Sequence, residues 1–272
     1  MIPLVLVTGF LGAGKTTFLR QVARRHAGRR LVFLVNDFAA ADVDGALVAA
    51  ATDNVVAIPG GSIFCRCLVT EFIAVLGRIR DEFHQPTTPV EGVVIEASGM
   101  ADPRVIGDLL RETRLDQHFA ITRILALLDP GSFLKLLKTL PAVRAQVAAA
   151  DTILLNKTDC YPAEQIAAAE AAARAINPEA NLIRAVQAAA DCELFAHASP
   201  AADRHGAYAP CRDPDYAAVV LAFDRPPDLE ALAERLRAFG HDLLRAKGQL
   251  VTTAGPRYID YSASGFQATP CP

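Results

Sequence analysis

The strongest chemical pattern in the sequence is a glycine-rich segment close to its start. Residues 9–16 fit the spacing G-x-x-x-x-G-K-[ST], which forms a phosphate-binding loop between a strand and a helix. Backbone N–H groups of such a loop, together with the N-terminus of the helix, bind phosphate oxygens. Lys15 is expected to reach the β- and γ-phosphates, and the Thr16 hydroxyl is expected to bind Mg²⁺. The residues assigned to this loop are Gly9, Gly12, Ala13, Gly14, Lys15, Thr16 and Thr17.

A second polar segment, Asn156-Lys157-Thr158-Asp159, follows an apolar run and fits the N-K-x-D pattern that reads guanine. The Asp159 carboxylate can accept from guanine N1–H and from the exocyclic amine at once. Adenine has an acceptor at N1 and no amine at C2, so a site built for guanine rejects it. The sequence therefore predicts Asn156, Lys157 and Asp159 as base-binding residues and GTP as the nucleotide.

Two further segments supply candidate groups for Mg²⁺ and for the terminal phosphate. Glu96 ends an apolar run and is expected to contact Mg²⁺ directly or through water, while the Gly99 N–H is expected to contact the γ-phosphate. Lys15, Glu96 and Gly99 are the predicted catalytic residues. Asp37, in a polar segment after another run, is predicted to complete the Mg²⁺ shell. The alternatives are a helix-capping role around Glu96 and a solvated carboxylate at Asp37.

Alternating apolar and helical segments supply the framework for these groups. Strands are predicted over 3–8, 31–35, 54–58, 91–96, 121–128, 152–155 and 181–184. Helices are predicted over 15–27, 69–82, 103–114, from 130 onwards, 141–149 and 162–175. Asp102 and Asp129 are the predicted N-caps before Pro103 and Pro130. This rhythm indicates an α/β fold, a P-loop doubly wound and mostly parallel sheet with helices on both faces. Its ligand site is expected at the carboxyl ends of the strands.

The chain divides into three predicted parts. Residues 1–195 form the P-loop GTPase domain, residues 196–214 form a linker with several Ala, Pro and Asp residues, and residues 215–272 form a small α+β domain. Within that small domain, strands are predicted over 216–223, 243–246, 249–253 and 257–261, and an amphipathic helix is predicted over 228–239.

Composition narrows the class of partner. The net charge of −3 gives no electrostatic reason to expect nucleic acid or an anionic membrane as the main partner. No apolar run approaches the roughly 20 residues that a membrane span requires. The sequence starts without the basic segment of a secretory signal, and its six cysteines are expected to be reduced thiols. The expected compartment is the cytoplasm.

These motifs together give the chain a family resemblance. Residues 9–17, 96–103 and 156–159, with Lys247-Gly248 near the end, resemble the CobW-like family of P-loop GTPases, relatives of the UreG and HypB metallocentre factors. The resemblance implies a slow, Mg²⁺-dependent GTPase of metallochaperone type. It would deliver a metal, often Zn²⁺ or Co²⁺, to a client metalloprotein or enzyme, and homodimer formation is left open.

The sequence departs from the family at its metal-binding motif, G-C-x-C-C. Registered on Gly61, the first two cysteines become Ser62 and Phe64, and only Cys65 remains. With a gap, Cys65-Arg66-Cys67 takes the place of C-x-C, and Leu68 replaces the last cysteine.

Two thiolates therefore remain where the family has three. Cys65 and Cys67 are the candidate ligands for a transition metal, helped by Asp37 or by a client residue, since thiolates suit Zn²⁺ and Cu⁺. The polar segment after the second predicted strand, which would form the first nucleotide-sensing switch, is altered as well, because Asn36-Asp37-Phe38-Ala39-Ala40 stands where the family has N-E-F-G-E. The alternative is that both thiols are incidental.

Two rival functions remain open at this point. One is a metal-free, GTP-gated binding module or chaperone whose two thiols are vestigial. The other is an ATP-using P-loop kinase in which residues 156–159 match the guanine pattern by chance. Metal content after purification tests the first rival, and competition between GTP and ATP tests the second.

Overall fold

The computed structural model describes residues 1–37, 48–49, 52, 54–59, 63–64, 68–196, 206, 219–253 and 255–271. Cys65, Cys67 and nearly all of the predicted linker lie outside these ranges, and so does the side chain of Asp37. The proposals that concern these residues stay predictions.

A seven-stranded sheet forms the centre of the first 184 residues. Its strands are β1 Ile2–Thr8, β2 Leu31–Asp37, β3 Val55–Pro59, β4 Gly92–Glu96, β5 Phe119–Leu128, β6 Thr152–Leu155 and β7 Asn181–Arg184. They lie in the order β3-β2-β4-β1-β5-β6-β7, and all neighbouring pairs are parallel. The predicted doubly wound parallel sheet is therefore confirmed.

Helices cover both faces of this sheet because its strands are apolar on both sides. In β1, Leu4 and Leu6 belong to one core cluster, whereas Val5 and Val7 belong to the cluster on the opposite face. The helices are α1 Lys15–Arg25, α2 Val69–Arg78, α3 Val105–Glu112, α4 Pro130–Thr139, α5 Pro141–Ala149 and α6 Ala163–Ile176. A short π-helical segment, Ile79–Phe83, extends α2.

The predicted start of the helix after β4 was wrong by two residues. Helix α3 begins at Val105, and Asp102 does not cap it. Asp102 Oδ1 instead accepts from the N–H of Arg104 at 3.0 Å, and its other oxygen lies 2.6 Å from the Arg104 guanidinium. This local turn competes with helix capping for the same carboxylate. The equivalent prediction for α4 was right, because Asp129 Oδ1 accepts from Gly131 N–H at 2.8 Å and Pro130 follows it.

The C-terminal part contains helix α7, Leu229–Ala238, and a three-stranded antiparallel sheet. Its strands are β8 Ala246–Thr252, β9 Gly255–Ser262 and β10 Gly265–Pro270. The strand predicted over 249–253 corresponds to β8, which begins at Ala246, whereas the separate strand predicted over 243–246 was wrong because residues 243–245 are irregular. Strand β10 was not predicted. The strand predicted over 216–223 was wrong where the structure describes it: residues 219–223 are irregular, and Val219 and Leu221 are exposed.

None of the helices within the described ranges is long and apolar enough to cross a bilayer.

Candidate functional site

The phosphate loop connects β1 to α1 and depends on glycine at two tight positions. Gly9 has a φ of 133°, and a Cβ there would lie 2.3 Å from the carbonyl oxygen of Leu127. Gly14 has a φ of 106°, and a Cβ there would lie 2.4 Å from Nδ2 of Asn156. Both residues therefore require glycine for conformation and for space, and the loop is pressed against β5 and the end of β6.

Lys15 and the first turn of α1 give this loop its positive character. The Lys15 side chain is buried, and its Nζ donates to the carbonyl oxygen of Gly9 at 2.9 Å, so the ammonium is held across the loop. Among the residues that the structure describes, no side chain caps the N-terminus of α1, and the first turn of this helix contains no acidic residue. Uncapped N–H groups beside a lysine ammonium form an arrangement suited to phosphate oxygens.

Thr16 and Glu96 meet beside the loop. The Thr16 hydroxyl lies 3.3 Å from Oε1 and 3.4 Å from Oε2 of Glu96, although the two residues are 80 positions apart in sequence. Both side chains are buried, and the Thr8 hydroxyl at the end of β1 is buried with no hydrogen-bond partner among the described residues. A hydroxyl and a carboxylate are the hard oxygen donors that Mg²⁺ prefers, so these side chains fit that ion.

Gly99 lies in the segment after β4, directly against the phosphate loop. A Cβ on Gly99 would lie 2.8 Å from the backbone nitrogen of Leu11, so no side chain fits between the two segments. Gln146 of α5 holds the segment from behind, since its Nε2 donates to the carbonyl oxygens of Gly99 at 3.0 Å and Ala101 at 3.1 Å. Gln146 was not among the site residues predicted from the sequence. The feature that could have indicated it is a polar residue on the apolar face of a helix, the face that also carries Val143 and Val147.

Asn156 connects the predicted guanine-reading segment, residues 156–159, to the phosphate loop. Its Nδ2 donates to the carbonyl oxygen of Ala13 at 2.9 Å, and its Oδ1 accepts from the N–H of Ala188 at 2.8 Å. The residue is 2% exposed. The amide is therefore fully engaged with backbone groups and joins three loops.

Lys157 and Asp159 lie at the outer side of this segment, and Asp159 is exposed. Lys157 adopts a left-handed backbone conformation with a φ of 60°. Its ammonium lies 2.9 Å from Oδ2 of Asp129, which directly follows β5. It also donates to the hydroxyls of Ser262 at 3.1 Å and Ser264 at 2.8 Å. Asp129, Ser262 and Ser264 were not among the predicted site residues, because no motif connects them to residues 156–159.

Tyr161 packs beneath the same group of side chains. A Cβ on Gly131 would lie 2.3 Å from the Tyr161 hydroxyl, so this ring fills the space beside the start of α4. Burial, and secondarily the charge of Asp129, raises the pKa of Tyr161 far above its usual range. The phenol therefore stays protonated and contributes no charge near Lys157.

The candidate transition-metal region follows the carboxyl ends of β2 and β3. Asn36 joins these ends, since its Nδ2 donates to the carbonyl oxygen of Ile58 at 2.9 Å and its Oδ1 accepts from Ile63 N–H at 3.0 Å. Phe64 is fully buried and packs edge-on against Phe72, with ring centroids 5.9 Å apart. The register that aligns Phe64 with a family cysteine therefore places a core residue at that position.

Cys65 and Cys67 come next in the sequence and lie outside the described ranges. Within those ranges, no group of three or more His, Cys, Asp and Glu side chains is arranged to hold a metal ion.

Comparison with known proteins identifies relatives of the part of the chain that contains most of this site. A family model described as CobW/HypB/UreG, nucleotide-binding domain, matches residues 3–184. The zinc chaperone YjiA of Escherichia coli (strain K12) is 31% identical over 159 residues, which cover 58% of this chain and 50% of that protein. The zinc chaperone YeiR of the same organism is 34% identical over 156 residues, which cover 57% of this chain and 46% of that protein.

A solved structure shows that the fold likeness extends further. The crystal structure of Zn(II)-bound YjiA GTPase from E. coli superposes with a TM-score of 0.52 at 23% identity. The match covers 98% of this chain and 88% of that chain. By sequence, the chain spans about half the length of the curated relatives it matches.

Proposed function

Because the chain belongs to the CobW/HypB/UreG family, we propose that it binds GTP with Mg²⁺, hydrolyses it slowly to GDP and phosphate, and couples this cycle to metal delivery to a client protein. The observation that carries the proposal is the contact network of Asn156, which joins the phosphate loop to the guanine-reading segment. An ATP-using kinase gives no reason for an N-K-x-D segment braced in this way.

The proposed reaction requires no covalent intermediate. Lys15 and the N-terminus of α1 would bind the terminal phosphates, and Thr16 and Glu96 would hold Mg²⁺, which offsets the charge of the transferring phosphoryl group. Gly99 offers its backbone N–H from a segment that Gln146 holds in place. Asp159 would select guanine through its two acceptor oxygens.

The metal-handling part rests on the region after β2 and β3. Asn36 fixes Ile63 beside the end of β2, and β2 pairs with β4, the strand that ends at Glu96. Cys65 and Cys67 are the proposed soft ligands. Zn²⁺ is the first metal to test, because the relatives YjiA and YeiR are described as zinc chaperones. Reduced thiols suit a cytoplasmic location.

One observation favours a second candidate, a GTP-gated binding module that carries no transition metal. Phe64 is buried in the apolar core and offers no ligand. In the register on Gly61, Cys65 is then the single thiol at a position of the family's metal motif. A single thiol and a carboxylate bind Zn²⁺ too weakly for a carrier without help from the client.

The nucleotide part is tested by competition. GTP and ATP would compete with a fluorescent GDP for the wild-type chain and for Lys15→Ala, with Lys135→Ala, an exposed lysine on α4, as the matched control. We expect GTP to compete at least a hundredfold better than ATP, and Lys15→Ala to lose binding while Lys135→Ala keeps it. Equal competition by ATP would reject the GTPase assignment.

The metal part is tested by titration of Zn²⁺, Co²⁺ and Ni²⁺ with and without GTP under reducing conditions. Stoichiometric binding whose affinity changes with GTP supports metal delivery. Absence of binding at micromolar metal selects the metal-free module.

A further inference from the structure

The turn between β9 and β10 reaches the nucleotide site from the C-terminal sheet. We name residues Ser262–Gly265 the serine turn. Ser262 ends β9 and Gly265 begins β10. The hydroxyl oxygens of Ser262 and Ser264 lie 2.9 Å from each other. Both accept from the ammonium of Lys157, at 3.1 Å and 2.8 Å. The C-terminal sheet thus contacts a residue of the guanine-reading segment directly.

The same turn also touches the phosphate loop. A Cβ placed on Gly12, which has a φ of 80°, would lie 3.0 Å from Cβ of Ser262. Ser262 is buried at this contact. The serine turn therefore contacts both loops that would hold the nucleotide, at Gly12 and at Lys157.

These contacts order a side chain that would otherwise be mobile. A lysine ammonium on its four-carbon stem has large rotamer freedom, which a ligand must remove when it uses that residue. Here three oxygen acceptors, from Asp129, Ser262 and Ser264, surround the ammonium, and the Lys157 side chain is 17% exposed. Two of the three acceptors come from the serine turn.

We propose that Ser262 and Ser264 are positioning residues for the guanine nucleotide, and that they act by ordering Lys157 before the nucleotide binds. This inference rests on the proposed GTP binding. Pre-ordering of Lys157 lowers the conformational entropy that is lost when the nucleotide binds. Loss of the two hydroxyls is therefore expected to lower the affinity for the nucleotide. Because coupling is reciprocal, a bound nucleotide also stabilises the serine turn on the phosphate loop.

The experiment measures the dissociation constant of fluorescent GDP for the full chain. Ser262→Ala with Ser264→Ala removes both hydroxyls, and Ser264→Thr keeps the second one. Thr269→Ala, at an exposed position on β10, is the matched control for hydroxyl loss on the same hairpin. We expect the double alanine variant to bind about three- to tenfold more weakly, and both other variants to bind as wild type does.

A double-mutant cycle separates positioning from a general structural role. In a Lys157→Met background, the serine substitutions are expected to have no further effect on GDP affinity, since the ammonium that they order is gone. The same loss in both backgrounds, or unchanged or tighter binding in the double alanine variant, overturns the inference and leaves GTP binding intact. A wild-type chain that binds no guanine nucleotide rejects the proposed function and this inference with it.

Discussion

The side chain of Asn156 donates from Nδ2 to the carbonyl oxygen of Ala13 over 2.9 Å, and it thereby connects residues 156–159, the proposed guanine-reading segment, to the phosphate loop. The same amide accepts from Ala188 on its other side. One buried side chain thus sets the distance between the part of the site that would hold the base and the part that would hold the phosphates.

Asn156→Ala is expected to lower both stability and nucleotide affinity. Removing the amide leaves a buried carbonyl and a buried N–H without partners, which costs about 2 kcal/mol in the free energy of unfolding. The spacing of the two loops also relaxes, so fluorescent GDP should bind at least tenfold more weakly.

Asn177→Ala is the matched control for that variant. Asn177 makes a comparable set of bonds, to the carbonyl oxygens of Val147 and Ala150 and from Ala180 N–H, away from the loops. It should lose similar stability in urea unfolding and keep its GDP affinity. Equal GDP affinity in Asn156→Ala and wild type would show that the amide does not set the geometry of the site.

Asp159→Asn should exchange guanine preference for xanthine preference. Xanthine has N1–H but a carbonyl at C2, so it needs one acceptor and one donor, which an amide supplies. GTP would then meet a donor facing its amine, at a loss of roughly 1–3 kcal/mol, or about 5- to 150-fold in affinity. Competition of GTP, XTP and ATP against fluorescent GDP measures the change. An unaltered ratio of GTP to XTP affinity would mean that Asp159 does not read the base.

Gln146→Met should slow GTP hydrolysis more than it weakens GDP binding. The substitution keeps most of the buried volume but removes the two hydrogen bonds that hold Gly99 and Ala101. The segment after β4 then loses its fixed position, and we expect a rate loss of about tenfold. The loss of stability should be modest, at about 1 kcal/mol, because the orphaned Oε1 of Gln146 is removed as well.

Gln165→Met is the control for that experiment, since Gln165 donates to the carbonyl oxygen of Pro130, on α4. It should leave hydrolysis unchanged. Single-turnover hydrolysis gives the rate and fluorescent GDP gives the affinity. A hydrolysis rate equal to that of wild type in Gln146→Met would show that Gln146 does not position the segment after β4 for hydrolysis.

Cys65→Ser with Cys67→Ser should abolish stoichiometric binding of soft metals. Thiolates are the ligands in this region that select Zn²⁺ over hard cations. Cys160→Ser with Cys271→Ser removes the same number of thiols elsewhere and should keep metal binding. Dialysis against Zn²⁺ followed by elemental analysis gives the stoichiometry. If both pairs reduce Zn²⁺ binding equally, the site is not at residues 65–67.

The sheet could be predicted from the sequence because its strands are short apolar runs followed by diagnostic polar motifs. The run 152–155 coincides with β6, which is buried along its whole length, since a strand buried on both faces favours apolar residues. The run 181–184 coincides with β7, an edge strand whose apolar signal comes from Leu182 and Ile183. The strands of the C-terminal sheet were harder to predict from the sequence. Strand β10, with Phe266 as its one large apolar residue, carries no alternation strong enough to identify it.

Part of the site could not be predicted because its contacts join distant parts of the chain. Lys157 meets Ser262 and Ser264 more than 100 residues away, and neither serine belongs to a motif. Asp102 shows a different difficulty. Its sequence context suits a helix cap, but Arg104 offers a nearer charged partner, and only the folded geometry decides between them.

The order of the strands separates two parts of the proposed nucleotide site. Strand β1 lies in the middle, with β4, β2 and β3 on one side and β5, β6 and β7 on the other. The first side leads to Glu96, while the second leads to Asp129 and Asn156. The group proposed for Mg²⁺ and the groups proposed for the base therefore follow opposite halves of the sheet, with the phosphate loop after the central strand between them.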